Sequence, residues 1–358
     1  MMFNEFLQKY NVNEKRIAVG VSGGSDSLAL ALMLNDELRP LGYTVIAVTV
    51  DHRLRPTSAQ EAQTVAGVMA QNGIEHHTLV WEHSSDLKTG IEEAARIARY
   101  NLLENWCKQN NVKVLMVAHH LNDQVENFFI RLQRGSGLDG LCGMKEAVVK
   151  NNLQIMRPLL YTNPQVMKNY LNQRHIAWIE DESNACDDFL RVKIRKFLPQ
   201  FYAATEITPQ RIGEAMQRLL SSRNYLEHKS EQIIKNSFKN WFDYGYSCSL
   251  AVFLSLDTEM AFRVLSCLLR QVGNNEYTPR ADSVLHLISD IKSNKFKAAT
   301  LAHCHISISN KTLWILPESY DIGNYTPKAW ENYVKLNPVF KKQKLPLRLR
   351  AFILNQVK

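Results

Sequence analysis

Six small and polar residues form the first stretch that could carry chemistry: Ser22-Gly23-Gly24-Ser25-Asp26-Ser27. An apolar, partly β-branched segment precedes them and a second apolar segment follows, which predicts a strand, a turn and a helix. Glycine lets the backbone bend sharply and approach a ligand closely. The hydroxyl groups and the free amides at the helix start favour an anion, aided by the helix dipole. We therefore predict a phosphate-binding loop here.

This loop is not of the Walker type, because no Gly-Lys-Ser/Thr follows at the required spacing. It resembles SGGxDS, the fingerprint of the PP-loop ATP pyrophosphatases, which bind the pyrophosphate of ATP and adenylate a substrate. The resemblance implies that ATP is bound by the six residues Ser22, Gly23, Gly24, Ser25, Asp26 and Ser27. Asp26 is the predicted Mg²⁺ ligand, since a loop carboxylate would repel phosphate unless a metal lay between them. Its alternative role is to cap the helix.

Two more polar stretches follow apolar segments that are predicted to be strands. Segment 45–50 runs into Asp51-His52-Arg53-Leu54-Arg55, and segment 114–118 is followed by a polar stretch at 119–126. The first half of the chain alternates strands and helices, which predicts an α/β fold with a doubly wound parallel sheet. In such a sheet the ligand lies beyond the carboxyl ends of the strands. The three polar stretches should therefore meet in one site.

Longer segments narrow the resemblance to one family, since residues 15–200 resemble the tRNA(Ile)-lysidine synthetases throughout. The matching segments, in order, are 50–55 (VDHRLR) with Ser58, 90–100 (GIEEAARIARY), 118–127 (AHHLNDQVEN), 134–144 (RGSGLDGLCGM), 157–160 (RPLL) and 180–184 (EDESN), followed by Arg191, Ile194, Arg195, Leu198 and Pro199. The chain departs from the family pattern where Asn122 replaces an Asp, Asn127 a Thr and Val192 an Asn. None of these three has a predicted chemical role, so activity is expected.

The resemblance implies an enzyme that modifies the wobble cytidine of the isoleucine tRNA with the anticodon CAU. ATP adenylates the carbonyl at C2 of the base and releases pyrophosphate, and the amine of L-lysine then displaces AMP to leave lysidine. Mg²⁺ and backbone amides would stabilise charge on the departing pyrophosphate. Acidic groups near the lysine would both bind its ammonium and take up its proton.

The resemblance also implies roles for residues of the other two polar stretches. Asp51, His52 and Arg55 are expected to hold the adenosine, although Arg55 could instead be a solvated surface residue. Asp123 and Glu126 are three residues apart, so they share one helix face. The resemblance makes them the L-lysine clamp and proton acceptors, whereas the spacing alone would favour a solvated helix face.

Two arginines, Arg191 and Arg195, are one helical turn apart and can present two guanidinium groups to phosphate. Arg195 is predicted to stabilise the adenylated intermediate or the lysine carboxylate. The alternative for Arg191 is a surface ion pair with Asp187 or Asp188.

A glycine-rich stretch, 135–143, is expected to act as a flexible loop over the anticodon, with ordinary turns as the alternative. The basic residues predicted to contact tRNA are Arg131, Arg134, Lys145 and Arg191.

Neighbouring His119 and His120 raise the alternative of a metal site with Asp123. We prefer a magnesium enzyme with His120 as a polar site residue, because hard Mg²⁺ seldom selects imidazole.

Composition narrows the class of protein. The chain has 358 residues, a net charge of +8 and 45% hydrophobic residues, as in an ordinary soluble protein. It shows no signal-peptide pattern and no apolar run that approaches the ~20 residues of a membrane span, so we expect a cytoplasmic protein. Its six scattered cysteines form no C-x-x-C pair, which disfavours a disulfide scaffold, a zinc ribbon or an iron–sulfur site.

Other functions remain as alternatives at this point. The missing cysteine pairs argue against a tRNA thiolase, and no glutaminase segment points to an ammonia-using synthetase. A non-catalytic tRNA-binding protein is less favoured, since Asp26, Asp123 and Glu126 occur together. The family resemblance also suggests a homodimer.

Three parts are expected along the chain: a catalytic domain at 1–205, a mostly helical tRNA-binding domain at 206–325 and a basic C-terminal segment at 326–358. The alternative for the last part is a reduced third domain. Thr208 and Pro209 predict a helix start. Further helices are predicted at 258–272 and after Pro279, with strands near 299–316.

The C-terminal segment from residue 328 has eight cationic residues and one anionic residue. We predict that it binds the tRNA backbone, so that deletion of 328–358 weakens tRNA affinity and flattens its salt dependence. Titrations at several salt concentrations measure both quantities, and an unchanged salt slope would contradict the prediction.

Overall fold

A computed structural model of the chain describes residues 2–83, 91–180, 190–275, 277–293, 295–321, 323, 325–341 and 343–356, apart from the side chain of Glu92. Two units of chain, Met1–Leu220 and Ser221–Lys358, each have their own internal contacts. Among the described residues, no helix has the length and apolar character needed to cross a membrane. Residues 181–184 of the EDESN segment lie outside the described residues.

Alternating strands and helices form most of the first unit. In chain order they are α1 Met2–Lys9, β1 Arg16–Gly20, α2 Ser25–Leu38, β2 Thr44–Asp51, α3 Ser58–Gln71, β3 Glu75–Val80, α4 Ile91–Gln109, β4 Val114–Met116, α5 Leu121–Gln133, α6 Leu138–Leu141, β5 Ala147–Lys150, β6 Leu153–Met156, α7 Gln165–Gln173, α8 Leu190–Thr205 and α9 Pro209–Ser237. A short 3₁₀ helix, Arg39–Leu41, follows α2.

Six of these strands form one sheet in the order β3-β2-β1-β4-β6-β5. All neighbours are parallel except β5, which is antiparallel to β6. The predicted doubly wound parallel sheet is therefore confirmed. The β5–β6 hairpin was not predicted, although Asn151 and Asn152 both adopt positive φ, as a two-residue hairpin turn requires.

Apolar side chains cover both faces of this sheet. Ile17 and Val19 of β1 pack with α2, α3 and α7, whereas Ala18 packs on the opposite face with Leu103 and Trp106 of α4. Alternate residues of one strand thus enter two cores, as expected for a parallel strand buried on both faces. Burial of the strands leaves their carboxyl ends as the positions where polar side chains can converge.

The second unit combines helices with a five-stranded antiparallel sheet in the order β7-β8-β11-β10-β9. Its elements are β7 Lys239–Trp241, β8 Gly245–Ser249, α10 Leu250–Leu254, α11 Thr258–Val272, α12 Ala281–Lys292, β9 Ala298–Leu301, β10 Cys304–Ser309, β11 Thr312–Pro317, α13 Pro327–Leu336 and α14 Leu347–Gln356. The helix predicted at 258–272 matches α11. Strands β7 and β8 were not predicted, because they are short and mostly polar.

The basic C-terminal segment is folded onto this sheet. Trp330 of α13 and Leu349 and Ile353 of α14 form one apolar cluster with Trp241 and Trp314 of the sheet. Deletion of the segment would therefore expose apolar surface as well as remove charge. Substitution of its exposed lysines is the cleaner test of the predicted tRNA contact.

We predict that Trp330→Ala lowers the free energy of unfolding of the second unit by about 3 kcal/mol, because it opens a cavity in the apolar cluster. The matched control is Leu336→Ala on the same helix, where the side chain is 83% exposed. The control should change that free energy by less than about 0.5 kcal/mol. Urea unfolding followed by tryptophan fluorescence measures both, and equal effects would contradict the packing.

Candidate active site

The predicted phosphate loop connects β1 to α2, with Gly24 at the N-cap of the helix. Gly23 has a φ of +91°, and a Cβ atom there would lie 2.7 Å from Ile179 Cδ1. The Ile179 amide also donates a hydrogen bond to the Gly23 carbonyl oxygen at 3.0 Å. Position 23 therefore requires glycine on two grounds, its conformation and its lack of space.

Serine hydroxyls hold the loop in shape. Ser27 Oγ accepts a hydrogen bond from the Ser22 amide at 3.1 Å and donates one to the Gly24 carbonyl at 3.1 Å. Ser22 Oγ lies 3.2 Å from Ser27 Oγ. The first-turn amides of an α-helix have no partners within the helix, so the start of α2, with Ser25, is suited to bind an anion.

Asp26 lies in the first turn of α2, and the capping alternative for it is wrong because Gly24 occupies the N-cap. Among the described residues, its buried Oδ1 atom has no hydrogen-bond partner. Its Oδ2 atom lies 3.4 Å from Nε2 of His120. A buried, unpaired carboxylate oxygen beside a phosphate loop fits the ligand that Mg²⁺ prefers.

The N-terminus of α5 carries the second carboxylate. The His120 amide donates a hydrogen bond to Asp123 Oδ2 at 3.0 Å, and His120 Nε2 lies 3.6 Å from the same oxygen. Although burial opposes both shifts, the hydrogen bond to Asp26 and the nearby carboxylates raise the pKa of His120, and the charge of His120 lowers the pKa of Asp123. His120 thus lies between Asp26 and Asp123.

Glu126 is 2% exposed, so the solvated alternative for this residue is wrong. Arg195 donates to it from Nε at 2.7 Å and from Nη2 at 3.0 Å, and Arg191 donates from Nε at 2.8 Å. Hydrogen bonding to Glu126 raises the pKa of Arg195. Arg191 Nη2 also lies 3.6 Å from Asp123 Oδ1. The alternative partners of Arg191, Asp187 and Asp188, lie outside the described residues.

His119 is a residue of this site that sequence reasoning left without a role. Burial, with smaller effects from nearby arginines, lowers its pKa to about 4 in spite of the charge of Asp123. It is therefore a neutral imidazole at neutral pH. Its position three residues after the end of β4 was the available signal.

The end of β2 brings two of its three predicted residues to the sheet edge. Asp51 is buried, and its Oδ1 accepts a hydrogen bond from the Arg53 amide at 2.9 Å. The His52 ring lies edge-on to Trp81 with centroids 5.8 Å apart, and burial lowers the His52 pKa. Arg55 forms an ion pair with Glu61 at 3.0 Å and its side chain is 40% exposed, and its contact with the adenosine stays a prediction.

The predicted tRNA contacts surround a folded stretch. Arg131, Arg134 and Lys145 are exposed. The stretch 135–143 contains α6 and turns at Gly135 and Gly143, which both have positive φ. The stretch therefore contains regular structure and glycine turns, its predicted flexibility stays a prediction, and its basic neighbours are available to a polyanion.

Comparison with known proteins places this geometry in a family. The family model described as a PP-loop domain matches residues 1–201. The tRNA(Ile)-lysidine synthase of Wolbachia pipientis wMel is 33% identical over 98% of this chain and 86% of its own length. The chain belongs to the tRNA(Ile)-lysidine synthase family. The synthase of Orientia tsutsugamushi (strain Boryong) is 34% identical over 85% of this chain and 70% of its own length.

A solved structure shares the fold of this lysidine synthase family member. The U34-tRNA thiolase NcsA from Methanococcus maripaludis aligns with 62% of this chain and 79% of its own, with a TM-score of 0.50 and 16% identity. That similarity concerns the fold alone. Membership of the lysidine synthase family makes the chain an ATP-dependent enzyme of the ligase type that acts in tRNA modification.

We predict that Gly23→Ala weakens ATP binding about tenfold or more, because backbone strain of about 1–3 kcal/mol and the clash with Ile179 both deform the loop. The matched control is Gly42→Ala, where φ is +78° but nothing lies within 4 Å of the added Cβ. Equilibrium titration with ATP compares the two variants. Equal ATP affinities would show that the loop geometry does not limit binding.

Proposed function

We propose that this chain catalyses the formation of lysidine at the wobble cytidine of the isoleucine tRNA with the anticodon CAU, using ATP and L-lysine and releasing pyrophosphate and AMP. The observation that carries this proposal is the convergence of Asp26, Asp123, Glu126 and Arg195 beside the phosphate loop, in a member of the lysidine synthase family. The relatives are named for lysidine and for tRNA(Ile). Those names support L-lysine as the nucleophile and the isoleucine tRNA as its acceptor.

In the first step, the loop at 22–27 would hold the β- and γ-phosphates of ATP on the amides at the start of α2. The C2 oxygen of the cytidine would attack the α-phosphorus, and pyrophosphate would leave. Asp26, with its unpartnered Oδ1, would hold Mg²⁺. The ion, when bound, neutralises charge that develops on the phosphates. Asp51 and His52, at the end of β2, would face the adenosine.

In the second step, the lysine amine would attack C2 of the adenylated base and AMP would leave. The amine must lose a proton, and Asp123 is an ionised carboxylate at the site, since neighbouring cations lower its pKa. The oxygens of Glu126 accept three hydrogen bonds from Arg191 and Arg195. A lysine ammonium that binds Glu126 would therefore replace a guanidinium group, and the phosphate of the adenylated base is a suitable new partner for that group.

The tRNA would contact the exposed cations around the site. Arg131, Arg134 and Lys145 flank the stretch 135–143, and the side chain of Arg191 is 47% exposed in spite of its contact with Glu126. Phosphate contacts of this kind position an RNA without reading its sequence. We also propose that the enzyme works in the cytoplasm as a homodimer.

We predict that Asp123→Asn and Glu126→Gln slow lysine transfer more than adenylation, because each removes a carboxylate that faces the lysine ammonium. ATP–pyrophosphate exchange in the presence of the tRNA reports adenylation, and incorporation of radiolabelled lysine reports transfer. Glu14→Gln is the matched control, since Glu14 forms a surface ion pair with Lys113 at 2.8 Å.

Equal loss of both steps would contradict the assignment of these carboxylates to lysine. If the parent enzyme used neither the isoleucine tRNA nor lysine, the proposed substrates would be wrong. A failure to turn over ATP with any tRNA would instead favour a non-catalytic RNA-binding protein.

A further inference from the structure

Gln124 is a polar residue with 0% exposure in the first turn of the catalytic helix α5. It lies between Asp123 and Glu126 in sequence. A buried amide needs hydrogen-bond partners for its oxygen and its NH₂ group. The positions of those partners show which parts of the chain the residue joins.

The two short hydrogen bonds of this side chain both join it to the backbone of one residue, Met144. Gln124 Nε2 donates to the Met144 carbonyl oxygen at 2.9 Å, and the Met144 amide donates to Gln124 Oε1 at 2.8 Å. The side chain thus pairs with Met144 as a neighbouring strand would. Gln124 Nε2 also donates a longer hydrogen bond, of 3.5 Å, to the hydroxyl oxygen of Tyr161.

The backbone next to Met144 is fitted closely to this amide. Gly143 has a φ of +73°, and a Cβ atom there would lie 2.4 Å from Gln124 Oε1 and 2.4 Å from Met216 Cε. No side chain can enter without moving the amide or the backbone. The contact between residues 124 and 143–144 is therefore specific in both chemistry and shape.

The stretch 135–144 is attached to α5 at both ends. At its start, the Gly135 and Ser136 amides donate to the carbonyl oxygens of Leu132 and Arg131, each at 3.0 Å. At its end, Gln124 binds Met144. The same helix carries the two carboxylates assigned to lysine, and the stretch is flanked by the exposed cations assigned to RNA.

We propose that Gln124 is a positioning residue that fixes the RNA-facing stretch relative to the catalytic carboxylates of α5. This inference rests on the proposed function and extends it to a residue that touches neither substrate. The position of the stretch relative to the carboxylates matters, because a displacement of about 1 Å between a bound substrate and its catalytic groups can cost about 100-fold in rate. The buried side-chain amide of Gln124 fixes the distance between the stretch and the carboxylates of α5.

The test compares Gln124→Met, which removes both hydrogen bonds at similar size, with Gln165→Met, a control at an exposed amide on α7. Single-turnover transfer of radiolabelled lysine at saturating ATP, lysine and isoleucine tRNA should slow about tenfold or more in Gln124→Met, because the carboxylates assigned to lysine are the groups against which the stretch is held. ATP affinity and tRNA affinity should change little, because the phosphate loop and the surface cations are untouched. The control should behave as the parent does.

A second variant reaches the same contact from the opposite side. Gly143→Ala should reproduce the slow lysine transfer, since its Cβ displaces the Gln124 amide. Hydrogen exchange adds a readout that does not depend on the tRNA used. In Gln124→Met, amides of residues 138–146 and of α5 should exchange faster together, whereas amides of α2 should keep the parent rate.

Unchanged lysine transfer at saturation in Gln124→Met would overturn the inference. So would a uniform loss of ATP affinity, tRNA affinity and exchange protection, which indicates a purely structural role. If the parent enzyme did not modify the isoleucine tRNA, the proposed function would fail separately, and the exchange pattern would still decide whether Gln124 links the stretch to α5.

Discussion

Parallel pairing of β1 with both β2 and β4 is the constraint on which the site depends. Each of these three strands ends at the same edge, so the chain leaves that edge through the phosphate loop, through Asp51 and through the N-terminus of α5. The starts of α2 and α5 consequently lie side by side, with His120 Nε2 3.4 Å from Asp26 Oδ2. A crevice of this kind, where strand connections diverge, is the common ligand site of open α/β sheets.

Charge balance determines what can be packed around that crevice. A carboxylate as buried as Glu126 is unfavourable without partners, and Arg191 and Arg195 of α8 supply them. Apolar contacts between Leu121 and Val125 of α5 and Leu198 of α8 support the same arrangement. The position of α8 is therefore linked to the chemistry of α5, and a change in the arginine contacts alters both.

The second unit shows how a charge pattern can conceal a core. Its last residues are strongly basic in sequence, yet Trp330, Leu349 and Ile353 alternate with the cations and pack against Trp241 and Trp314. The lysines of α13 are exposed, whereas Arg348 and Arg350 of α14 are half-buried and donate hydrogen bonds to the backbone carbonyls of Glu318 and Leu345. Net charge predicted a polyanion-binding surface, but it gave no indication that the same segment completes the core of a sheet.

Local sequence by itself determined the strand–turn–helix at residues 16–38, because apolar periodicity and glycine conformation act over a few residues. The alternation of such segments also predicted the parallel sheet and placed Asp26, Asp51 and Asp123 at the carboxyl ends of its strands. Only the tertiary structure decided which side chains pair. Arg195 meets Glu126 across 69 residues, Arg55 turns to Glu61, and Gln124 binds the backbone of Met144. The partner of a long polar side chain depends on which groups lie within reach and how buried they are after the helices have packed. The spacing of residues along the sequence gives neither the distance nor the burial.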